Sequence, residues 1–593
     1  MNLDLVRLRR AYAHGETRPS EVVRAILSRI SSRGEDGVWL SLFSSERLLE
    51  RAGALERLGK PERARTPLWG VPFAVKDNIA VAGLPTTAGC PAFSYLPVKS
   101  ATAVARLVAA GAIPIGKTNL DQFATGLVGT RTPGKAPLNP FDPAYVCGGS
   151  SSGSAVAVAT GLASFALGTD TAGSGRVPAG FCNLVGLKPT RGRVSAAGLV
   201  PACRSLDCVS IFALTVEDAL AILAVAEGLD QDDPYSRPTP LNSERPIGER
   251  FRFATPDRRT RAEFGDPASE TGFLSAIESL QRLGGTPVEL DFAPFAEAAA
   301  LLYGSFVAER TCDLGNFVAT HSDSILPVTK DIICGGASAS GVDVFRAQHR
   351  LAALCAPLRQ VWAEVDCLVV PTYPRPVSLA EIHADPLAPN ALLGVYTNFV
   401  NPMDLAAIAV PAGFRDDGLP HGVTLIGPAF SDFGLAGLAS RFHRAVGKRL
   451  GATAAALPEL SPRSHEDDCL PLAVFGAHLS GQALNGQLVA LDARLSGPCR
   501  TAPCYRLFAL PDGRPGLLRS QVGGAVIEGE IWRLPAAALG PFMASISAPL
   551  GIGRVTLRDG TETLGFLCEA SGTIDALEIT QFGDWRAWRA SLR

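Results

Sequence analysis

Apolar and charged positions interleave at helical spacing over the first 65 residues. Leu3, Val6, Leu8 and Tyr12 fall near one face, and Arg and Glu fill the faces between the apolar stripes. The pattern changes from Trp69 to Ala82. Val71, Phe73 and Val75 alternate, and Lys76-Asp77-Asn78 then interrupts an apolar run. This spacing predicts a buried strand that delivers a charged side chain inward. A helix over Ala101–Ala110, ended by Gly111, and a strand at Ile113–Ile115 follow. The alternation continues through strands at Ala163–Leu167, Arg252–Ala254, Cys367–Val370 and Gly422–Ile426, which predicts an α/β layered domain. The stretch Gly153–Leu167 is Ala-, Gly- and Ser-rich, too short for a membrane span, and predicts a tightly packed internal helix.

Beyond Gly447 the character shifts. Ala, Pro and charged residues gather up to Asp468, predicting a linker over 449–468 between a domain at 1–448 and a second at 469–593. In the second, strand-like runs recur at Leu472–Phe475, Tyr505–Ala509, Ala525–Trp532 and Gly565–Cys568. Turn signals such as Pro511-Asp512-Gly513 separate them, predicting a smaller α+β domain.

Length and composition agree with two domains. The chain has 593 residues, 47% of them hydrophobic, and one core rarely grows past roughly 250–300 residues. A formal net charge of -2 leaves no general footprint for nucleic acid or an acidic membrane. The thirteen cysteines form no Cys-x-x-Cys pair and have no matching histidine pair, so neither a disulfide framework nor a metal site is expected. The charged N-terminus does not read as a signal peptide, and a cytoplasmic location is expected.

The chemistry concentrates in two small-residue turns, Gly148-Gly149-Ser150-Ser151-Ser152-Gly153-Ser154 and Gly168-Thr169-Asp170-Thr171-Ala172-Gly173-Ser174-Gly175-Arg176-Val177-Pro178. Each precedes a plausible helix. Unpaired amides at such a turn can receive an anion or a developing oxyanion. A serine there can attack a carbonyl if a base takes its proton. No histidine lies in the block, but a desolvated lysine can serve, and Lys76 is the natural candidate. No lysine follows either loop closely, as a phosphate loop would need, and the Gly-x-Ser-x-Gly elbow fails around both Ser150 and Ser174. On the residues alone, a serine hydrolase and a plain tight-packing loop stand equal.

These motifs resemble the amidase signature family, whose fold is a mixed central sheet flanked by helices and whose triad is Ser–Ser–Lys. The resemblance runs over roughly residues 20–445. It implies Lys76 as base, in Gly70-Val71-Pro72-Phe73-Ala74-Val75-Lys76-Asp77, Ser150 as the bridging serine after a cis Gly149–Ser150 bond, and Ser174 as nucleophile. It further implies an oxyanion hole from the amides of Thr171, Ala172 and Gly173. Lys117, Asp121, Asp170 and Arg176 read as structural, the last two holding the nucleophile turn.

The flanking segments, including Pro201-Ala202-Cys203-Arg204-Ser205-Leu206-Asp207-Cys208-Val209-Ser210, are closest to allophanate hydrolases within that family. So is the tail Leu472-Ala473-Val474-Phe475-Gly476-Ala477-His478-Leu479-Ser480-Gly481, which resembles a γ-glutamyl cyclotransferase-like domain. The resemblance implies Tyr303 and Arg310 as substrate-binding residues for the small planar anion allophanate. A bidentate guanidinium suits its carboxylate; a surface arginine on a helix is the alternative. In the tail it implies His478 and Asn485 as assisting decarboxylation of the first product, against a histidine that only caps a turn. Glu530 reads as a simple exposed strand position. The tail could instead hold a homodimer or dock a urea carboxylase. The implied enzyme needs no cofactor or metal, and uses neither nucleic acid nor membrane. It works in urea or s-triazine breakdown. The alternative is an amidase for another small amide such as malonamate or biuret.

Overall fold

The computed structural model describes residues 2–240, 245–459 and 469–592. The chain divides into two units between Pro458 and Glu459.

The first unit is built on a mixed sheet. Its strands are β1 Trp39–Leu42, β2 Pro72–Lys76, β3 Ile113–Thr118, β4 Phe165–Thr169, β5 Val185–Lys188, β6 Val209–Ala213, β7 Phe251–Pro256, β8 Gly285–Leu290, β9 Cys367–Pro371, β10 Leu405–Phe414 and β11 Pro420–Pro428. The spatial order of the eleven strands is β1-β3-β2-β4-β6-β5-β10-β11-β9-β7-β8. β2 runs parallel to β3 and β4, whereas β4 with β6, β6 with β5, and β10 with both β5 and β11 pair antiparallel. Every residue of β2, β4, β5 and β6 is buried, which is why these strands read as nearly continuous apolar runs.

The helix expected after the first serine turn spans Ser152–Ala159 and is buried on all sides. Its small side chains let it lie close to the sheet. In the N-terminal region the helices Leu5–Ala13, Pro19–Arg33 and Ser45–Glu56 follow the predicted pattern, but β1 interrupts them. Four residues, Trp-Leu-Ser-Leu, carry no clear period. Antiparallel pairing with β3 at the sheet edge makes them a strand.

The predicted linker begins on the first unit. Leu450 is buried, Asn183 Nδ2 donates to the carbonyls of Arg449 and Gly451 at 3.0 and 2.9 Å, and Ala452 N donates to Ala159 O at 2.9 Å. Its residues 460–468 lie outside the described residues.

The second unit has a five-stranded and a three-stranded sheet. Its strands are β12 Cys469–Val474, β13 Arg494–Arg500, β14 Tyr505–Ala509, β15 Pro515–Arg519, β16 Glu528–Pro535, β17 Leu550–Thr556, β18 Glu562–Cys568 and β19 Leu577–Glu578. The orders are β13-β16-β12-β18-β17 and β15-β14-β19. Its core gathers Leu472, Val474, Tyr505, Leu507, Trp532, Leu534, Trp585 and Trp588.

Candidate active site

β2 ends by pointing Lys76 into the interior, where its side chain is fully buried. Its Nζ lies 2.7 Å from Ser150 Oγ and 2.7 Å from Thr169 Oγ1. A neutral amine fits both contacts, donating to Thr169 and accepting from Ser150. Burial lowers the Lys76 pKa to about 7, against the carboxylates of Asp121, Asp207 and Asp170; the Arg310 charge adds to the depression. Lys117, one strand over, is spent differently. Its Nζ sits 2.9 Å from Asp77 Oδ1, and the pair is buried within the sheet ends.

The first serine turn is held from three sides. Gly149 N donates to Leu127 O at 2.7 Å, and Asp121 N to Ser150 O at 3.1 Å. Ser151 Oγ donates to Thr169 O at 3.2 Å, and Ser154 Oγ to Leu167 O at 3.0 Å, so the helix start is pinned to β4. The Gly149–Ser150 peptide is cis. A Cβ at Gly149 would fall 2.2 Å from Asp121 Oδ2, so the loop carrying Asp121 tolerates only glycine there.

The second turn leaves β4 and enters the short helix Val177–Phe181. Asp170 organises it. Its carboxylate accepts from Gly173 N at 2.9 Å and Gly175 N at 3.1 Å, and from Arg176 Nε and Nη2, each at 2.8 Å. Burial pushes this carboxyl up, but the paired Arg176 guanidinium outweighs it and holds Asp170 below its usual range. Gly173 has φ +138°, and a Cβ there would meet Thr397 Oγ1 at 2.4 Å. Ser174, 4% exposed, is barely reachable from outside.

Two expected features differ in detail. The Gly173 amide is taken by Asp170, so among the described residues the amides free of a protein acceptor in this turn are those of Thr171, Ala172 and Ser174. The Ser150 and Ser174 hydroxyls make no hydrogen bond to each other, although Lys76 and Ser150 do. Catalytic contacts are often loose before substrate arrives.

Arg310 is not a surface arginine. It is 7% exposed on the helix Val307–Thr320 and its Nη1 donates to Thr125 Oγ1. Tyr303 closes the preceding helix, Ala293–Tyr303, and lines an open cavity of about 910 Å³ together with Asn390 and Asn398. Asn390 Oδ1 accepts from Leu127 N at 2.8 Å, on the loop whose Thr125 meets Arg310. The structure thus gathers Lys76, Ser150, Thr125 and Arg310 around residues 121–131.

In the second unit His478 is half-buried. Its ring stacks on Phe566 at 4.7 Å, and its Nε2 lies 3.0 Å from Gln487 Oε1. Burial lowers its pKa, with Gln487 opposing. Asn485 Nδ2 donates to His478 O at 3.0 Å, so its amide already braces this turn. Glu530, expected exposed, is 6% exposed. It accepts from Ser480 N, Ser480 Oγ and Trp532 Nε1 at 2.8–3.1 Å and from Arg586 Nη1 at 2.9 Å. Its alternation in β16 was correct, but the face it occupies is the covered one.

Sequence reasoning did not single out Thr169, Thr125 or Asp207 as site residues. Thr169 ends β4, and only the pairing of β4 with β2 brings it to Lys76. No group of three or more His, Cys, Asp or Glu side chains placed to hold a metal occurs among the described residues.

Comparison with known proteins matches this geometry to a family. The amidase family profile covers residues 21–435, and that of the allophanate hydrolase C-terminal domain covers 470–590. The chain is 43% identical to the urea amidolyase of Saccharomyces cerevisiae over 580 residues, which is 94% of this chain and 31% of that protein. It therefore spans about a third of the urea amidolyases it resembles. It is 35% identical to a glutamyl-tRNA(Gln) amidotransferase subunit of Chlorobium chlorochromatii over 74% of this chain and 98% of that one. The structure of Kluyveromyces lactis allophanate hydrolase matches at a TM-score of 0.72 and 39% identity, over 98% of each chain. With more than two thirds of its length under one profile and the serine turns and lysine strand inside that span, the chain belongs to the amidase family and carries an allophanate hydrolase C-terminal domain.

Proposed function

We propose that this chain hydrolyses allophanate with Ser174 as nucleophile, Ser150 as proton bridge and Lys76 as base. The observation that carries the reading is the buried Lys76–Ser150 contact of 2.7 Å, next to a turn with free amides. A lysine near neutrality can take the Ser150 proton while Ser150 takes that of Ser174. Ser174 Oγ attacks the terminal carbamoyl carbon, and the oxyanion rests on the amides of Thr171, Ala172 and Ser174. The proton returns to the departing nitrogen, and ammonia leaves. Water then releases the acyl group, giving N-carboxycarbamate and restoring Ser174. Arg310 and Tyr303 bind the substrate, with Arg310 on its carboxylate.

Loss of carbon dioxide from N-carboxycarbamate leaves carbamate, which yields the second ammonia and second carbon dioxide. His478 and Asn485 in the second unit assist this step. A histidine held mostly neutral near pH 7 suits proton transfer more than charge pairing with an anion. The likeness to urea amidolyases favours urea over s-triazines as the source of the substrate, and a functional link to a urea carboxylase. A cytoplasmic homodimer is part of the same reading. Among the described residues no helix is long and apolar enough to cross a membrane.

The test is ammonia release from the purified chain given allophanate, biuret and malonamate. Release from allophanate, abolished in Ser174→Ala, is expected. Release only from another amide overturns the substrate, and a fully active Ser174→Ala overturns the nucleophile.

A further inference from the structure

Antiparallel pairing of β4 with β6 places Thr169 opposite Val209. The ladder continues past both strands. Asp170 N donates to Cys208 O at 2.8 Å, and Cys208 N to Asp170 O at 3.3 Å. One step further the backbone bonds stop, and a side-chain bond replaces them: Thr171 Oγ1 donates to Asp207 Oδ1. Asn401 Nδ2 ties the same two segments together, lying 2.8 Å from both Asp170 O and Leu206 O.

Asp207 is 6% exposed, and it accepts two further bonds from its own loop. Ala202 N donates to Oδ2 at 2.9 Å and Cys203 N to Oδ1 at 3.2 Å. That loop is in turn fixed to the Arg310 helix. Glu309 accepts from Ser205 N and Ser205 Oγ, each at 2.7 Å. The loop therefore stands between the helix that presents Arg310 and the turn that presents Thr171.

We propose that Asp207 is a positioning residue, which holds the Thr171 amide where negative charge develops and ties the nucleophile turn to the Arg310 helix. The inference rests on reading Ser174 as the nucleophile. Two features support it. The Thr171 backbone amide has no protein acceptor among the described residues, and the hydroxyl bond to Asp207 is the side-chain tether of that residue, beyond the backbone pair at Asp170 and Cys208. A hole donor works only when aimed at the oxyanion before the reaction. The Asp207 charge is also felt at Lys76, where it acts with Asp121 and Asp170 against Arg310. The charged and titratable groups facing Asp207 are Lys76, Cys203, Arg204, Cys208 and Arg310. Burial raises Asp207 itself to about 6, with Thr171, the two amides and Arg310 opposing, so it is mainly an anion at neutral pH.

The sign for Lys76 follows. A neighbouring anion favours the ammonium, so removing it lowers the Lys76 pKa. The base is then neutral at lower pH, and the acid limb of the rate profile moves down.

The experiment compares Asp207→Asn, Thr171→Val and Thr171→Ser with wild type in the full chain. It measures kcat and KM on whichever of allophanate, biuret or malonamate is turned over, the pH profile of kcat/KM, and the labelling rate of Ser174 by a fluorophosphonate. The phosphonyl oxygen occupies the same hole, so labelling needs no assumption about substrate. Asp207→Asn is expected to lower kcat and labelling about tenfold, with KM changed less, since removing a whole hole donor costs about 10²–10³-fold. Its acid limb moves to lower pH. Thr171→Val lowers kcat and labelling similarly and moves the limb down by less than Asp207→Asn, because the Asp207 anion remains but loses the bond that opposes its rise, and Thr171→Ser, which keeps the hydroxyl, recovers most of the loss. Unchanged kcat and labelling in either Asp207→Asn or Thr171→Val overturns the proposal, as does an acid limb that stays or rises in Asp207→Asn. If Asp207→Asn does not fold, the Thr171 pair decides alone. Peptide mapping keeps the two failures apart: label on a residue other than Ser174 sinks the nucleophile, whereas an unchanged rate at Ser174 sinks only the positioning role.

Discussion

Lys76 in the first unit and His478 in the second are both proposed to move protons, and their surroundings differ in kind. Lys76 is fully buried among hydroxyls, with three carboxylates and one guanidinium close enough to bias its charge. His478 is half-buried against Phe566 and Phe542, and its pKa reflects burial and one hydrogen bond to Gln487. The first environment balances strong opposed charges, so each charge around it is a handle on the base. The second leaves mainly desolvation. Its Glu530–Arg586 ion pair is engaged in holding Ser480 and Trp532. Charge tuning therefore belongs to the first unit, and an aromatic wall to the second.

The largest expected effect breaks the comparison at its centre. Lys76→Met should lower kcat for the first ammonia by about 10⁴-fold. The acid limb near pH 7 should disappear from whatever rate remains. Wild-type activity should rise with pH through about 7 as Lys76 loses its proton, then level off. A variant retaining that limb would move the base elsewhere.

His478→Ala should leave the first ammonia unchanged and slow the second by about 10²-fold, the range of general acid–base catalysis. A fragment ending at residue 458, the edge of the first unit, should still release the first ammonia. Separate assays of the two ammonia steps check both. An inert but folded fragment would remove the division of labour.

Arg310→Gln sharpens the electrostatic side. KM for anionic allophanate should rise about tenfold or more, and KM for neutral biuret less, because a paired carboxylate is lost only in the first case. The acid limb should move to higher pH, since the Arg310 cation depresses Lys76. This is opposite in sign to the shift expected for Asp207→Asn.

The smallest effect concerns stability. Glu530→Gln should destabilise the second unit by about 1–3 kcal/mol, as hydrogen bonds to a charged acceptor weaken. Burial pushes Glu530 up, but the bonds from Ser480, Trp532 and Arg586 hold it below the usual carboxylate range. A depressed carboxyl contributes stability in full above its unfolded pKa, and that contribution should begin to fall as pH drops below about 4 and be gone below the lower native pKa. Thermal melts of wild type and variant should converge there.

The readable parts were those written locally. β2 with Lys76, the helix Ser152–Ala159 and the two small-residue turns lie where glycine, serine and apolar spacing put them. β1 was not readable, because four residues without a period became a strand only by pairing with β3. Glu530 alternates correctly in β16, yet periodicity cannot say which face of a strand will be covered. Composition puts the start of the linker at 449, whereas residues 449–452 bond back to Asn183 and Ala159.

By itself, the sequence determined the layered α/β first domain, the strand-rich second domain and the candidates Lys76, Ser150 and Ser174. Hydrophobic period, turn chemistry and motif are properties of neighbouring residues. The tertiary structure decided which amides of the nucleophile turn stay free, that Thr169 shares Lys76 with Ser150, and that Asp207 braces Thr171. It also decided that Arg310 is buried against Thr125, a residue 185 positions away. Those features arise where distant segments remove water from one another's charges, and no local pattern encodes how completely that happens.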